Sequence, residues 1–68
     1  MIKVGSYYIE IEHIKSIHYE NNYMVITYFF DNIPVRIPVA NYEAFDDEVY
    51  NIIRIRNIMK VEENVDKN

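Results

Sequence analysis

Residues 33–39 read IPVRIPV, and the two prolines in this run, Pro34 and Pro38, decide the fold. Along a β-strand, successive backbone N–H groups point to alternate sides, so residues 34, 36 and 38 direct theirs to one edge. Proline has no N–H group to offer. That edge lacks two donors and cannot form a full ladder, so the strand is expected at the rim of a sheet.

Three pairs of turn-forming residues divide the chain before this run. Gly5-Ser6 predicts a type II′ turn, because glycine supplies the positive φ that the first turn position needs. The pairs at 21–22 and 31–32 are Asn-Asn and Asp-Asn, which tolerate the left-handed region and predict type I′ turns. The strands between these turns are Ile2–Val4, Tyr7–Glu12, Lys15–Glu20, Tyr23–Phe30 and Ile33–Val39, of which the second and third can be one long strand bent near His13.

The second and third turns predict compatible hairpins. The third turn pairs Phe30 with Ile33, so the odd-numbered residues of the last strand donate inward and both prolines face the open edge. The second turn pairs Glu20 with Tyr23 and uses the odd-numbered backbone groups of the central strand, which leaves the even-numbered ones for the proline strand. This agreement predicts an antiparallel β-meander of four or five strands.

These registers give the sheet one apolar face and one mixed face. A face that is almost wholly apolar must be covered by another element. The apolar face carries Ile17, Tyr19, Met24, Ile26, Tyr28, Phe30, Ile33, Val35, Ile37 and Val39, and the mixed face carries Ser16, His18, Glu20, Tyr23, Val25, Thr27, Phe29, Pro34, Arg36 and Pro38.

A C-terminal helix is predicted to cover the apolar face, which makes the fold α+β. Asn41 suits the N-cap position, and acidic residues crowd the first turns, where the helix dipole favours them. We expect the helix to end at about Met59, with a short strand at residues 53–59 as the alternative, because IRIR alternates like a strand. Residues 1–60 are then one domain, and residues 61–68 a flexible tail. The covering side chains fall at helical spacing and are Tyr42, Phe45, Val49, Ile52 and Ile53.

Composition narrows the functional classes. The chain has 68 residues, a formal charge of −4 and no cysteine. A negative charge disfavours nucleic-acid binding, which relies on neutralising phosphates with basic residues. No apolar run is long enough to span a membrane, and no secretory leader pattern is present. The absence of cysteine fits the cytoplasm, where we expect the protein to act.

The sequence offers no catalytic constellation. His13 and His18 would point to opposite faces of a straight strand, and a zinc site needs three or four clustered ligands. Glu10 and Glu12 alternate as residues on the wet side of a strand do. The single glycine excludes a glycine-rich phosphate cradle. We therefore expect a protein that is not an enzyme and has no metal and no cofactor.

Seven tyrosines exceed the needs of a small core, and tyrosine is enriched at interfaces. The alternative interpretation is that they are ordinary strand formers. The mixed face carries an aromatic stripe, and a second apolar strip lies off the main helix face, where it would contact a second subunit of a homodimer. The candidates for partner binding are Tyr23, Val25, Phe29, Arg36 and His18, and those for the oligomer contact are Ile55, Ile58 and Met59.

Residues 4–32, VGSYYIEIEHIKSIHYENNYMVITYFFDN, resemble a pattern of very short phage and mobile-element proteins. These begin with a hairpin, pass through an I-x-I-E-x-I-x-x-I segment, and continue with a hairpin and a helix. The resemblance covers residues 1–53 and implies a protein that binds and occupies a host enzyme, a defence complex or a nucleotide signal. The matching positions are Ile9, Ile11, Glu12, Ile14 and Ile17.

Three functions follow as expectations. The first is a non-catalytic binding protein, a phage or mobile-element inhibitor of a host protein or defence component. The second is a homo-oligomer that binds or sequesters a nucleotide-like ligand between subunits, with Arg36 and Arg56 facing the anion. The third is a structural module whose only function is its dimer contact.

Overall fold

The computed structural model of the chain describes the backbone of residues 1–66 and the side chains of residues 1–59. Antiparallel strands and one C-terminal helix confirm the predicted α+β class. In chain order the elements are β1 (Ile2–Val4), β2 (Tyr7–Ile9), a 3₁₀ helix (Ile11–His13), β3 (Ile14–Glu20), β4 (Tyr23–Tyr28), β5 (Val35–Pro38) and α1 (Tyr42–Asp66).

The strands form two sheets instead of one meander. β1 and β2 make a separate hairpin, and β3, β4 and β5 make a three-stranded sheet in that order. The 3₁₀ helix separates them at the bend that the sequence predicts near His13, whose N–H donates to the Glu10 carbonyl at 3.1 Å. Ile11 is buried within this turn, and the Glu10 N–H donates to the hydroxyl of buried Tyr28 at 3.3 Å. These contacts fix the first hairpin against the larger sheet.

Two of the three predicted turns are confirmed. Val4 pairs with Tyr7, and Gly5 has a φ of 58°, as the first position of a type II′ turn requires. Asn21 and Asn22 have φ values of 48° and 65°, as both positions of a type I′ turn require.

The third predicted turn is wrong. Neither Asp31 nor Asn32 has positive φ, and residues 29–34 form a longer connection between β4 and β5. The Asp31 carboxylate accepts the Ile33 N–H at 3.0 Å and so closes a local turn within that connection. As a result Met24 pairs with Ile37, where the two-residue turn predicts Val39. A slip of two residues keeps every side chain on its face, because the side-chain period of a strand is two.

The rim position of the proline strand is confirmed. Within residues 1–66, β5 has β4 as its only neighbour in the sheet. The Val39 N–H donates to the Asn22 carbonyl at 2.9 Å, so odd-numbered residues bond inward and even-numbered ones face the open edge. Pro34 and Pro38 therefore cost the sheet no hydrogen bond.

The core lies between the inner face of the larger sheet, the first hairpin and α1. Phe30 and Ile33, which the sequence assigns to this face, are instead exposed because they belong to the connection after β4. The partly buried residues at the edge of the core are Ile2, Ile17, Tyr19, Val35, Val39 and Val49. The buried residues of the core are Val4, Ile9, Ile11, Ile14, Met24, Ile26, Tyr28, Ile37, Phe45 and Ile52.

The helix is capped as predicted and is longer than predicted. The Asn41 side-chain oxygen accepts the Ala44 N–H at 2.9 Å, and α1 begins at the next residue. Residues 53–59 are helical, so the alternative strand is wrong. Residues 61–66, assigned to the tail, continue α1, and the last two residues of the predicted tail lie outside the described residues. No helix in the described part of the chain is long and apolar enough to cross a membrane.

The buried stripe of α1 differs from the predicted one. Phe45 and Ile52 are buried as expected, but Tyr42 and Ile53 are exposed. Ile55 and Met59 pack against the core in their place. The stripe advances by steps of three and four residues along the helix, and this path brings Ile55 rather than Ile53 onto the sheet side. Two of the residues that were predicted to contact another subunit therefore pack against the core instead.

Candidate partner-binding surface

The side of the three-stranded sheet opposite the core, here called the outer face, presents mostly exposed side chains. Alternation along three paired strands places these residues side by side, in the rows that the register defines. The outer face consists of Ser16, His18 and Glu20 from β3, Tyr23, Val25 and Thr27 from β4, and Arg36 and Pro38 from β5.

Val25 is the apolar centre of the outer face. It stands opposite His18 on one side and Arg36 on the other. Only 2% of Val25 is exposed, although it is not part of the main core cluster. Its neighbours on the outer face therefore shield it. Val25 supports the side chains that a partner would meet, but offers almost no contact area of its own.

A charged group joins the outer face across all three strands. The Glu20 Oε2 atom lies 3.3 Å from Arg36 Nη1 and 3.6 Å from His18 Nε2. All three side chains are about half exposed, so these contacts add little to stability. They hold the guanidinium and imidazole groups in a defined place. In the neighbouring row the Ser16 and Thr27 hydroxyls are hydrogen-bonded to each other.

An apolar tip adjoins this face where β4 ends. We define the apolar tip as Phe29, Phe30 and Ile33, which are 73%, 62% and 73% exposed. The Phe29 N–H donates to the His13 carbonyl at 3.0 Å, which continues the β3–β4 ladder and carries Phe29 onto the outer side. Three large apolar side chains in one short connection are thus open to solvent.

The apolar tip is held by local contacts. The Phe30 ring stacks on Tyr28 with a centroid distance of 5.0 Å and an interplanar angle of 14°. The His13 ring meets Phe30 edge-on at 5.4 Å. The Asp31–Ile33 turn fixes the backbone between the two ends of the tip. Such preorganisation lowers the ordering cost of binding.

The structure gathers four of the five predicted partner-binding residues on one exposed surface. His18, Tyr23 and Arg36 share the outer face, Phe29 extends it, and Val25 lies beneath. The predicted oligomer strip is divided, because Ile55 and Met59 pack against the core and Ile58 alone is exposed.

Sequence reasoning missed Phe30 and Ile33 as surface residues because it extended the β4 alternation through them. The signal that could have found them is Asp31, whose side chain is suited to accept the N–H two residues ahead and so to end a strand. Tyrosines are also more exposed than a core role requires. Tyr7, Tyr8, Tyr23, Tyr42 and Tyr50 are exposed, and Tyr19 and Tyr28 contribute to the core.

Among the side chains of residues 1–59, no three His, Asp or Glu residues lie close enough together to hold a metal ion. His13 contacts the apolar tip, and His18 belongs to the outer face. No protein-family model, curated protein or solved structure matches this chain. The candidate surface is therefore defined by geometry and exposure.

Proposed function

We propose that this chain is a non-catalytic binding protein that holds a protein partner on its apolar tip and the adjoining outer face. The observation that carries the proposal is the exposure of Phe29, Phe30 and Ile33 in one ordered connection. Exposed apolar groups rimmed by polar residues mark interaction sites on small proteins. In the row of the outer face next to Phe29, Ser16 and Thr27 supply such polar groups.

The kind of partner we propose is a host protein or a component of a host defence complex, bound in the cytoplasm by a protein of phage or mobile-element origin. The resemblance of residues 4–32 to short phage proteins supports this choice. Aromatic residues at the centre of an interface and charged residues at its rim are the usual arrangement in protein–protein complexes. The apolar tip supplies the aromatic residues, and the Glu20–Arg36 pair supplies charged residues further along the same outer face.

Binding of a nucleotide-like ligand between subunits is less well supported. That function would assign Arg36 to the anion of the ligand. The guanidinium already faces the Glu20 carboxylate, so an incoming phosphate would compete with an anion of the same chain. A thermal-shift screen with nucleotides separates the two functions, because a ligand that binds the folded state raises the melting temperature.

The test of the proposal uses paired surface variants. Phe29→Ala and Ile33→Ala should each raise the Kd for a partner captured from the host by about tenfold or more, since truncating a central interface residue costs upwards of 1 kcal/mol. Tyr50→Ala removes an equally exposed ring from the helix and should bind like the wild type. Affinities come from calorimetry with the purified partner, and circular dichroism checks the fold of each variant.

Two results would contradict the proposal. One is an unchanged affinity for both tip variants. The other is an equal loss for Tyr50→Ala, which would move the binding surface to the helix.

A further inference from the structure

We propose that β3 forms the seam of a symmetric dimer, in which two copies of the chain pair β3 antiparallel and join their larger sheets into one. The proposal concerns a sheet edge and not the apolar tip, so it stands or falls independently of the proposed function. Three observations carry it: an open backbone edge, a regular register and matching side chains.

The open edge is a row of backbone groups on β3. The two-residue turn makes Glu20 and Tyr23 a hydrogen-bonded pair, so Ser16 and His18 also bond to β4. Ile17 and Tyr19 then direct their N–H and C=O groups away from the sheet. Within the described residues, no other strand, turn or side chain bonds to these backbone groups.

The two edges of the same sheet are treated differently. On β5 Pro38 removes an outward-facing donor, and Pro34 removes another directly before the strand begins at Val35. On β3 no proline interrupts the residues from Ser16 to Glu20. Unprotected edges invite pairing with another strand, and proteins that avoid it block them. β3 carries one such device, the bulge at Lys15, but from Ser16 to Glu20 its outward-facing donors are all present.

The register of the seam follows from which residues are regular. The residues that exchange hydrogen bonds across the seam are odd-numbered on both strands, so the twofold axis passes through a residue of the strand. An axis at Ile17 would draw the bulge at Lys15 into the ladder, and an axis at Tyr19 would draw in the left-handed Asn21. An axis at His18 pairs Ile17 with the partner's Tyr19 and uses regular residues alone.

Side chains match in this register. On the inner side, Ile17 faces the partner's Tyr19, and both side chains are only half buried in the single chain. Pairs of a β-branched and an aromatic residue are favourable across strands. The Tyr19 ring already packs edge-on against Tyr42 at 5.4 Å, so the seam extends an existing aromatic cluster. On the outer side, Ser16 faces the partner's Glu20, so each carboxylate lies opposite a hydroxyl, and His18 faces the partner's His18 at the axis.

The first test follows amide exchange of the whole chain over a concentration series from micromolar to millimolar, with sedimentation giving the oligomeric state. Ser16 and His18 should be protected throughout, because their N–H groups bond to β4. Ile17 and Tyr19 should become protected only as dimer forms. A chain that stays monomeric, or a dimer in which Ile17 and Tyr19 exchange freely, overturns the proposal.

The second test reads the register through charge. Ser16→Glu would set a second carboxylate against the partner's Glu20, and Ser16→Lys would set an ammonium there. Both variants lose the same hydrogen bond to Thr27, so each is the control of the other. The dimer Kd should rise for Ser16→Glu and fall for Ser16→Lys, by about 2- to 30-fold each for two symmetric charge pairs.

Equal Kd values for the two variants, or the opposite order, would overturn the proposed seam. If either variant fails to fold, the exchange experiment on the unaltered chain still decides the question.

Discussion

Three asparagines fix the local backbone conformation, two in the β3–β4 turn and one at the start of α1. Asn21 and Asn22 take up the left-handed conformation that the β3–β4 turn needs. Asn41 closes the first turn of α1 by accepting the Ala44 N–H. Asparagine suits both tasks because its short amide tolerates positive φ and can replace a missing backbone partner. These local preferences are readable from sequence, and both predictions are confirmed.

The cap at Asn41 can be tested by substitution. Asn41→Ala should lower the free energy of unfolding by about 1 kcal/mol, because the Ala44 N–H loses its acceptor. Asn41→Asp keeps an acceptor oxygen and should stay close to the wild type. Urea denaturation followed by circular dichroism measures both. A loss of the same size in the two variants would show that the side-chain oxygen does not cap the helix.

The turn at residues 21–22 gives a second test at this scale. Asn21 has a φ of 48°. Within the described residues, its side chain forms no hydrogen bond. Asn21→Gly should be neutral or slightly stabilising, whereas Asn21→Val should cost about 1–2 kcal/mol, because a side chain branched at Cβ is strained in the left-handed region. Thermal unfolding of the two variants compares them directly, and equal melting temperatures would argue against the type I′ turn.

Among the elements, those with local signals were predicted well. The first two hairpins are delimited by turn residues whose φ values match the prediction, and the β3–β4 register agrees from Ser16 to Glu20, beyond which a bulge at Lys15 that was not predicted shifts it by one residue. The β4–β5 register was missed because a slip of two residues leaves every side chain on its face, so alternation alone does not distinguish the two registers. The 3₁₀ helix at Ile11–His13 was foreseen only as a bend, since three residues carry no periodicity to recognise.

The orientation of α1 was predicted only in part, since a helix with isoleucines on several sides can present more than one face. Ile52 and Ile53 are neighbours of identical chemistry with opposite environments, 2% and 52% exposed. Ile52→Ala should lower the free energy of unfolding by about 2–5 kcal/mol, because it leaves a cavity in the core. Ile53→Ala should change it by about 0.5 kcal/mol or less, as surface substitutions do.

Denaturant midpoints for this pair decide the orientation. A larger loss for Ile53→Ala would restore the predicted helix face and would place Ile55 and Met59 outside the core.

At the scale of the whole molecule, we expect that removing the proline at the β5 edge makes chains associate. Pro38→Ala restores an N–H on the open edge and should leave the unfolding free energy nearly unchanged while promoting chain-to-chain pairing. Ile37→Pro is the matched change one residue earlier. It removes a donor that bonds to β4 and should unfold the sheet.

Light scattering at rising concentration follows association, and circular dichroism follows folding. A Pro38→Ala chain that associates no more than the wild type would show that the proline does not guard this edge.

The candidate surface was foreseen in outline and not in detail. Strand parity places His18, Tyr23 and Arg36 together, because parity is a property of the sequence. The apolar tip escaped prediction, because its exposure depends on where β4 ends in the folded chain. The burial of Val25 was not predicted either, because it depends on neighbours contributed by other strands.

A sheet with one blocked edge and one open edge can pair with only one other sheet. β5 stays outermost after two chains have joined through β3, with Pro38 in it and Pro34 directly before it, so the free rim of the dimer lacks the donors of both positions. Growth would terminate at the pair, and raising the concentration would fill pairs and not lengthen fibrils. Two prolines, one directly before β5 and one at its end, would thus set the stoichiometry of the assembly as well as the order of the strands.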